Sequence, residues 1–234
     1  MIRSTFRVLL FTLLFPVLAF AATDSLPAKY LSIGAKKAGI CFGNSPVFTG
    51  FRFNGLNKNV RRLNGCDLAL VNEDGKGASN GISVAAGANT QERNNGLAIG
   101  GLVNAVDHEN GVMLGLLYNV GNRLNGLGAA VFLACDTVNG LAIGGEVGRR
   151  GTDTSGEING LAVAISGTIT GTMNGIAVSL ENFSHQHRGL AIGAYNNTKR
   201  LNGVQIGFYN IALNNPKGFR RLPLINMHFG RQQR

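Results

Sequence analysis

One short unit repeats along almost the whole chain, and that repeat constrains the fold more than any other feature. Twelve glycines open its copies: Gly50, Gly65, Gly81, Gly96, Gly111, Gly126, Gly140, Gly160, Gly175, Gly189, Gly203 and Gly218. Their spacings are 15, 16, 15, 15, 15, 14, 20, 15, 14, 14 and 15 residues. A fixed period of this size marks an architecture in which each unit buries its surface against its neighbours. The one long step, after Gly140, carries the insertion Arg149-Arg150-Gly151-Thr152-Asp153-Thr154-Ser155-Gly156.

The columns of the repeat have physical meaning. The residue after each lead glycine is apolar, as in Phe51, Ile82, Leu97, Val112, Leu161 and Ile176. Two further on the chain is again mostly apolar, as in Phe53, Leu68, Ile99, Leu114, Ile143 and Ile206. Small or polar residues stand between them. This alternation predicts one half-buried strand per copy. Asn precedes the lead glycine in nine of the twelve copies, and Asn-Gly marks a corner that accepts positive φ. A second Asn closes many strands, at Asn57, Asn72, Asn89, Asn104, Asn119, Asn182, Asn196 and Asn210, and predicts a side-chain ladder.

Two all-β architectures accommodate these columns. In a β-solenoid each copy is one coil and equivalent residues stack in parallel, about 4.8 Å apart. In an antiparallel meander or barrel the Asn-Gly corner would alternate between two ends, yet nothing in the copies alternates. The apolar stretch of each copy also falls short of the roughly 9–11 residues of a membrane strand. The expected fold is therefore a β-solenoid of about twelve coils, a rod on the order of 55 Å long, with the antiparallel barrel as the alternative. The expected core is made by the columns one and three after the lead glycine. Lys36 and Lys37 at one end, and Arg220, Arg221 and Pro223 at the other, are expected to block edge-to-edge pairing. Cys41, Cys66 and Cys135 fall too many coils apart to bridge, which predicts three free thiols.

Glycine contributes 34 of the 234 residues, but Pro only 5, so the chain is not collagen-like. With 44% hydrophobic residues it is not a disordered linker either. Arg3 and Arg7, the apolar run Val8 to Phe20 and the small-residue pattern Ala19-Phe20-Ala21 form the pattern of a secretory leader cut after Ala21. Its loss would lower the formal charge from +10 by two. The expected organisation is a signal peptide over 1–21, a cap segment over 22–49, the repeat domain over 50–230 and a basic tail over 231–234. The product is expected in the periplasm, at the outer membrane or cell surface, or outside the cell.

The NG-apolar-x-apolar-G units resemble those of a bacterial surface-repeat family of exported, uncharacterised proteins. The likeness covers residues 39 to 230. It rests on Phe51-Arg52-Phe53-Asn54 through Arg62-Leu63-Asn64-Gly65, and on the closing stretch from Asn214-Asn215-Pro216-Lys217-Gly218 to Leu222-Pro223-Leu224-Ile225-Asn226-Met227-His228-Phe229. The resemblance implies export and a surface role, and it brings no catalytic residues with it.

No catalytic constellation stands out. His185 and His187 alternate around Gln186, with Glu181 nearby, but a polar turn explains them better than a metal site. The carboxylates Asp107, Glu109, Asp136, Glu146, Asp153 and Glu157 recur in no common column and suit solvated turns. Neither a cofactor nor a metal is implied. Two surfaces remain as candidates. Arg61, Arg62, Arg149, Arg150, Lys199 and Arg200 fall mainly just before lead glycines, which places them along one edge for an anionic glycan or lipopolysaccharide. Aromatic residues do not interleave with them, so a specific nucleic-acid partner is not indicated. Ala98, Ala142, Ala162, Ala177 and Ala191, two after their glycines, are expected to form a flat face for self-association. The functional expectation is a non-enzymatic binding or structural scaffold at the cell envelope or surface. An outer-membrane barrel, with its membrane contact, is the first alternative. A carbohydrate-active β-helix enzyme is a distant one.

Overall fold

A computed structural model describes residues 30–35, 37–73, 77–148 and 156–230. The expected leader, residues 22–29, Lys36, residues 74–76, the insertion at 149–155 and the tail at 231–234 lie outside the described residues. Twelve strands form one sheet in sequence order: β1 (Tyr30–Ala35), β2 (Ala38–Gly43), β3 (Val47–Lys58), β4 (Arg62–Glu73), β5 (Ala78–Ala85), β6 (Ala88–Gly100), β7 (Val103–Gly115), β8 (Tyr118–Gly148), β9 (Glu157–Val178), β10 (Glu181–Ile192), β11 (Tyr195–Ala212) and β12 (Arg221–His228). From β2 to β11 successive strands pair in parallel and lead glycine stacks on lead glycine, as in Gly50↔Gly65, Gly96↔Gly111 and Gly175↔Gly189. The chain is a β-solenoid of about 11 turns. The antiparallel barrel, and the membrane contact it would bring, fall with this parallel pairing.

The repeat begins one coil earlier and ends one earlier than the sequence suggests. Gly39 stacks on Gly50, so the first coil lies inside the expected cap segment. Gly218 opens no coil: Lys217–Phe219 is a single 3-10 turn, and β12 folds back antiparallel on β11. β1 likewise runs antiparallel to β2. Each end of the rod is thus closed by a reversed strand. Pro223, which offers no N–H, sits in the outermost of these, where an edge tolerates it.

The lead glycines explain the corner. Gly39 through Gly203 in this column hold φ between +118° and +152°, a region that side chains rarely adopt. A Cβ on Gly111 or Gly126 would run into the carbonyl oxygen of the glycine stacked below it. Beside them the preceding asparagines form an unbroken amide ladder. Asn80 Nδ2 donates to Asn64 Oδ1 at 2.8 Å, and the pattern continues through Asn95, Asn110, Asn125, Asn139, Asn159 and Asn174. The Asn139–Asn159 step holds at 2.8 Å, so the corner keeps its register across the 20-residue copy, and the pairing shifts only at a bulge between Gly144 and Glu146.

A second ladder is buried at the next corner. Asn182 Nδ2 donates to Asn196 Oδ1 and Asn196 Nδ2 to Asn210 Oδ1, both at 2.7 Å. The same amides also donate to corner carbonyls, Asn182 to Ile192 O and Asn119 to Ala129 O. Ile192 O also accepts the Ser179 N–H at 3.0 Å, so the buried amide is its second donor, and the amide in turn is kept satisfied. Mid-rod, Leu133, Val147 and Thr168 replace asparagine in this column, where the core is apolar.

The inside and outside of the first strand are opposite to expectation. Ala98, Ala142, Ala162, Ala177 and Ala191 are the core, at most 1% exposed, and form no assembly face. The columns on either side of them point outward: Phe51 is 56% exposed, Ile143 40% and Ile176 41%. The reason is volume. A coil of about fifteen residues encloses a narrow lumen, already occupied from the other sides by Val106, Leu124, Leu133, Val138, Ile158 and Met173. Where these large side chains fill it, the facing column holds a small residue, as at Ala98, Ala142, Ala162 and Ala177, so the bulky residues beside it go outside. The three cysteines are free, as expected, with Cys41 and Cys135 buried.

Replacing Gly111 by Ala at the middle of the rod is expected to lower unfolding stability by more than about 3 kcal/mol, because strained φ and a backbone clash add. Denaturant titration checks this, and an effect below about 1 kcal/mol would show that the corner relaxes freely.

Candidate functional site

The largest chemical feature of the surface is the outward side of the first strand of every coil. Its columns one and three after the lead glycine run from Ile40 and Phe42 to Val204 and Ile206. Neither column contains a charged residue. A third column, five after the glycine, extends the side at its far corner with Leu70, Leu116, Val131, Ile165, Leu180 and Phe208. All six are exposed, Leu116 to 66% and Phe208 to 80%. Phe42 stacks on Phe53 within the first side, with ring centroids 5.6 Å apart. About eleven coils and five residues of width make this face on the order of 50 by 15 Å, roughly 750 Å². That exceeds the largest apolar patch of a typical monomer, roughly 300–600 Å². Sequence reasoning placed columns one and three in the core because they are apolar; the alanines that recur between them, at Ala98, Ala142, Ala162, Ala177 and Ala191, were the signal that the lumen is narrow.

The basic residues occupy other sides. Arg62 is in register with Ala78, and Ala78 with Arg93, His108 and Arg123, so a basic column spans the N-terminal half of the rod. In the other half the equivalent residues are Thr137, Glu157, Thr172 and Gln186, before Arg200. The neighbouring column adds Glu92, Asp107 and Asp136 beside the arginines. The stripe is therefore divided and mixed in sign. Arg61 and Arg62 are exposed near one end, Lys199 and Arg200 near the other, and Arg149 and Arg150 lie outside the described residues. Near the C-terminal cap Arg200 joins Arg188, His228, Gln186, Asn202 and Asn214 around a shallow cleft of about 350 Å³ with no acid in its lining.

The histidine pair does not share a face. A corner of the coil falls between them, so His185 is exposed and His187 points into the core. Glu181 is exposed. Among the described residues no three His, Cys, Asp or Glu side chains come together as a metal site would need.

Charged groups do enter the lumen. Arg52 and Asp67, two after their glycines on adjacent coils, form a fully buried fork. Arg52 Nε donates to Asp67 Oδ1 at 2.8 Å and Nη2 to Oδ2 at 2.6 Å. Arg52 Nη1 also donates to Ser45 O, and Asn57 Nδ2 donates to both carboxylate oxygens. All three guanidinium nitrogens and both carboxylate oxygens of the pair are engaged, which offsets the cost of burying the ions. Glu109 is buried between Asn94 and Leu124, accepting only from Asn94 Nδ2 at 3.1 and 3.0 Å. Burial pushes its carboxyl up to about 8, against the lesser pull of Asn94. Burial also raises the Cys135 thiol to about 12, with Asp136 and Glu109 adding to the effect. His187, stacked between Met173 and Leu201, is lowered to about 4 by burial, and its Nε2 has no partner. Arg52 and Asp67 are paired within the lumen, and burial favours the uncharged forms of Glu109, Cys135 and His187 there.

Two opposed pH effects follow. Glu109 binds its proton more tightly when folded, so its contribution to stability falls as pH rises from about 4.5 to about 8. Glu109→Gln is expected to abolish that fall and to raise stability at pH 9 by a few kcal/mol, with little change at pH 4. His187 binds its proton less tightly when folded, so stability falls as pH drops from about 6.5 to about 4, and His187→Leu removes that slope. Thermal melts across pH 4 to 9 read both, and unchanged pH profiles in the variants would contradict the burial of these side chains. No protein-family model, curated protein or solved structure matches the chain.

Proposed function

We propose that the chain is an exported, non-enzymatic binding or structural scaffold at the bacterial cell envelope or surface. One observation carries this reading: a rod whose one long side is apolar and free of charge in its central columns, while the charges lie on its other sides. A flat side of this extent engages an extended partner, not a small substrate. The leader pattern at the N-terminus and the resemblance to exported surface-repeat proteins support the same reading. The test is fractionation of bacterial cells making the full chain. The intact leader is expected to be cut after Ala21 and the product recovered outside the cytoplasm, whereas Leu13→Arg with Leu14→Arg keeps it inside. An uncut chain that stays cytoplasmic with its leader intact would remove the proposal.

A second reading adds an anionic ligand. Its support is the C-terminal cleft, where Arg188 and Arg200 face one groove with the amides of Asn202 and Asn214. Guanidinium groups pair bidentately with carboxylate, sulfate or phosphate. A sulfated polysaccharide is expected to bind with an affinity that drops steeply with salt, and Arg188→Ser with Arg200→Ser should weaken it at least about tenfold. Binding that ignores both salt and the substitutions would reject this reading.

A further inference from the structure

We propose that the apolar side of the rod is closed by a second copy of the same chain, packed face to face as an isologous pair. The inference rests on the scaffold reading above and names its partner.

The area is sufficient. A face of roughly 750 Å² on each copy gives a pair burying about 1,500 Å², within the range of specific, stable interfaces. The anatomy also fits. The centre is aliphatic and aromatic, with no charge in its two central columns, while one long edge carries the Asn64–Asn174 amide ladder. An apolar centre with a polar, uncharged rim is how protein interfaces are built.

Periodicity is the stronger argument. Parallel stacking sets the outward side chains in ridges about 4.8 Å apart along the rod. Only a surface with the same spacing interdigitates with such ridges over the full length, and a second copy has it by construction. Two sheets of this kind pack about 10 Å apart with their side chains meshed. A lipid surface offers no matching period. The arginine column stands on a different side from the apolar face, so the basic anchors of interfacial membrane binding are not assembled around it.

The experiment is sedimentation of the full chain, made with its leader and purified in the form the cell delivers, across a dilution series. At about 50 µM the mass is expected to be twice that of one chain, returning to one chain on dilution. Ile143→Lys with Ile176→Lys puts two charges into the face at outward positions and is expected to weaken pairing at least about tenfold, with an unchanged melting temperature. Val120→Lys, an exposed position on another side, should leave pairing intact. A single-chain mass at about 100 µM in the wild type overturns the proposal and needs no variant to fold. So does a pair that survives the double substitution, or an open-ended assembly. Flotation of a monomeric chain with lipid vesicles assigns the face to lipid and also overturns it. A monomer that fractionation still finds outside the cytoplasm refutes the pairing alone and leaves the scaffold reading standing.

Discussion

The backbone at the lead glycine sets everything else in this rod. Its positive φ turns the chain at one corner of each coil, and the missing side chain lets the next coil's glycine sit directly against it. Because equivalent glycines must touch, the coils have one register, and all other columns inherit it. The exposed asparagines then link amide to amide along the corner, and the buried ones satisfy carbonyls at the next corner. Each such bond contributes modestly, on the order of 1 kcal/mol, but leaving the buried asparagine amides unpaired inside the lumen would cost more.

That register also decides what the lumen can hold. Three sides converge on a narrow space, and side chains from one side limit those from another. Met113 and Gly128 occupy the same column on adjacent coils, and a Cβ on Gly128 would meet both Leu124 and Leu133. A large inward residue on one coil is thus matched by a small one nearby. Under this limit the apolar residues that flank the alanine column have nowhere to go but outward. The exposed apolar side follows from the coil's size as much as from selection for a partner, yet a chain that keeps charge out of its two central columns through some eleven coils leaves that side suited to being covered.

The parallel solenoid was legible in the sequence because it follows from phase. Identical corners recurring at one interval cannot alternate direction, and the Asn-Gly pairs named those corners. The free thiols followed from the same spacing. The facing of the strand was not legible from periodicity, since alternation separates two faces without saying which is inside. The usual tie-breaker, that apolar residues go in, failed at Leu97, Ile99 and their equivalents because lumen volume overruled it. The ends were also misjudged. Gly218 resembles a lead glycine in Lys-Gly-Phe, but Pro216 before it and Pro223 after it cannot supply the N–H groups that a stacked coil needs. The basic residues were expected along one edge, but Glu92, Asp107 and Asp136 one column away divide the stripe, a relation visible only once the columns are aligned.

A rod of near-identical coils faces a problem that its regularity creates. Shifting one part of the stack by a whole coil returns glycine to glycine and asparagine to asparagine, so the corners alone do not forbid it. The inward columns do. A one-coil slip at the first end would remove Asp67 from Arg52 and bury a guanidinium without its carboxylate, a penalty of several kcal/mol. Further along, Glu109 would lose Asn94. At the far end a slip would set Asn196 on Thr168 in place of Asn182, or against the reversed strand in place of Asn210, and break an amide pair. The apolar middle, from Ala98 to Ala177, supplies the hydrophobic burial and tolerates exchange among its members. The polar ends supply the addresses. Buried charge in this protein therefore contributes less to how tightly the coils stack than to which coil stacks on which.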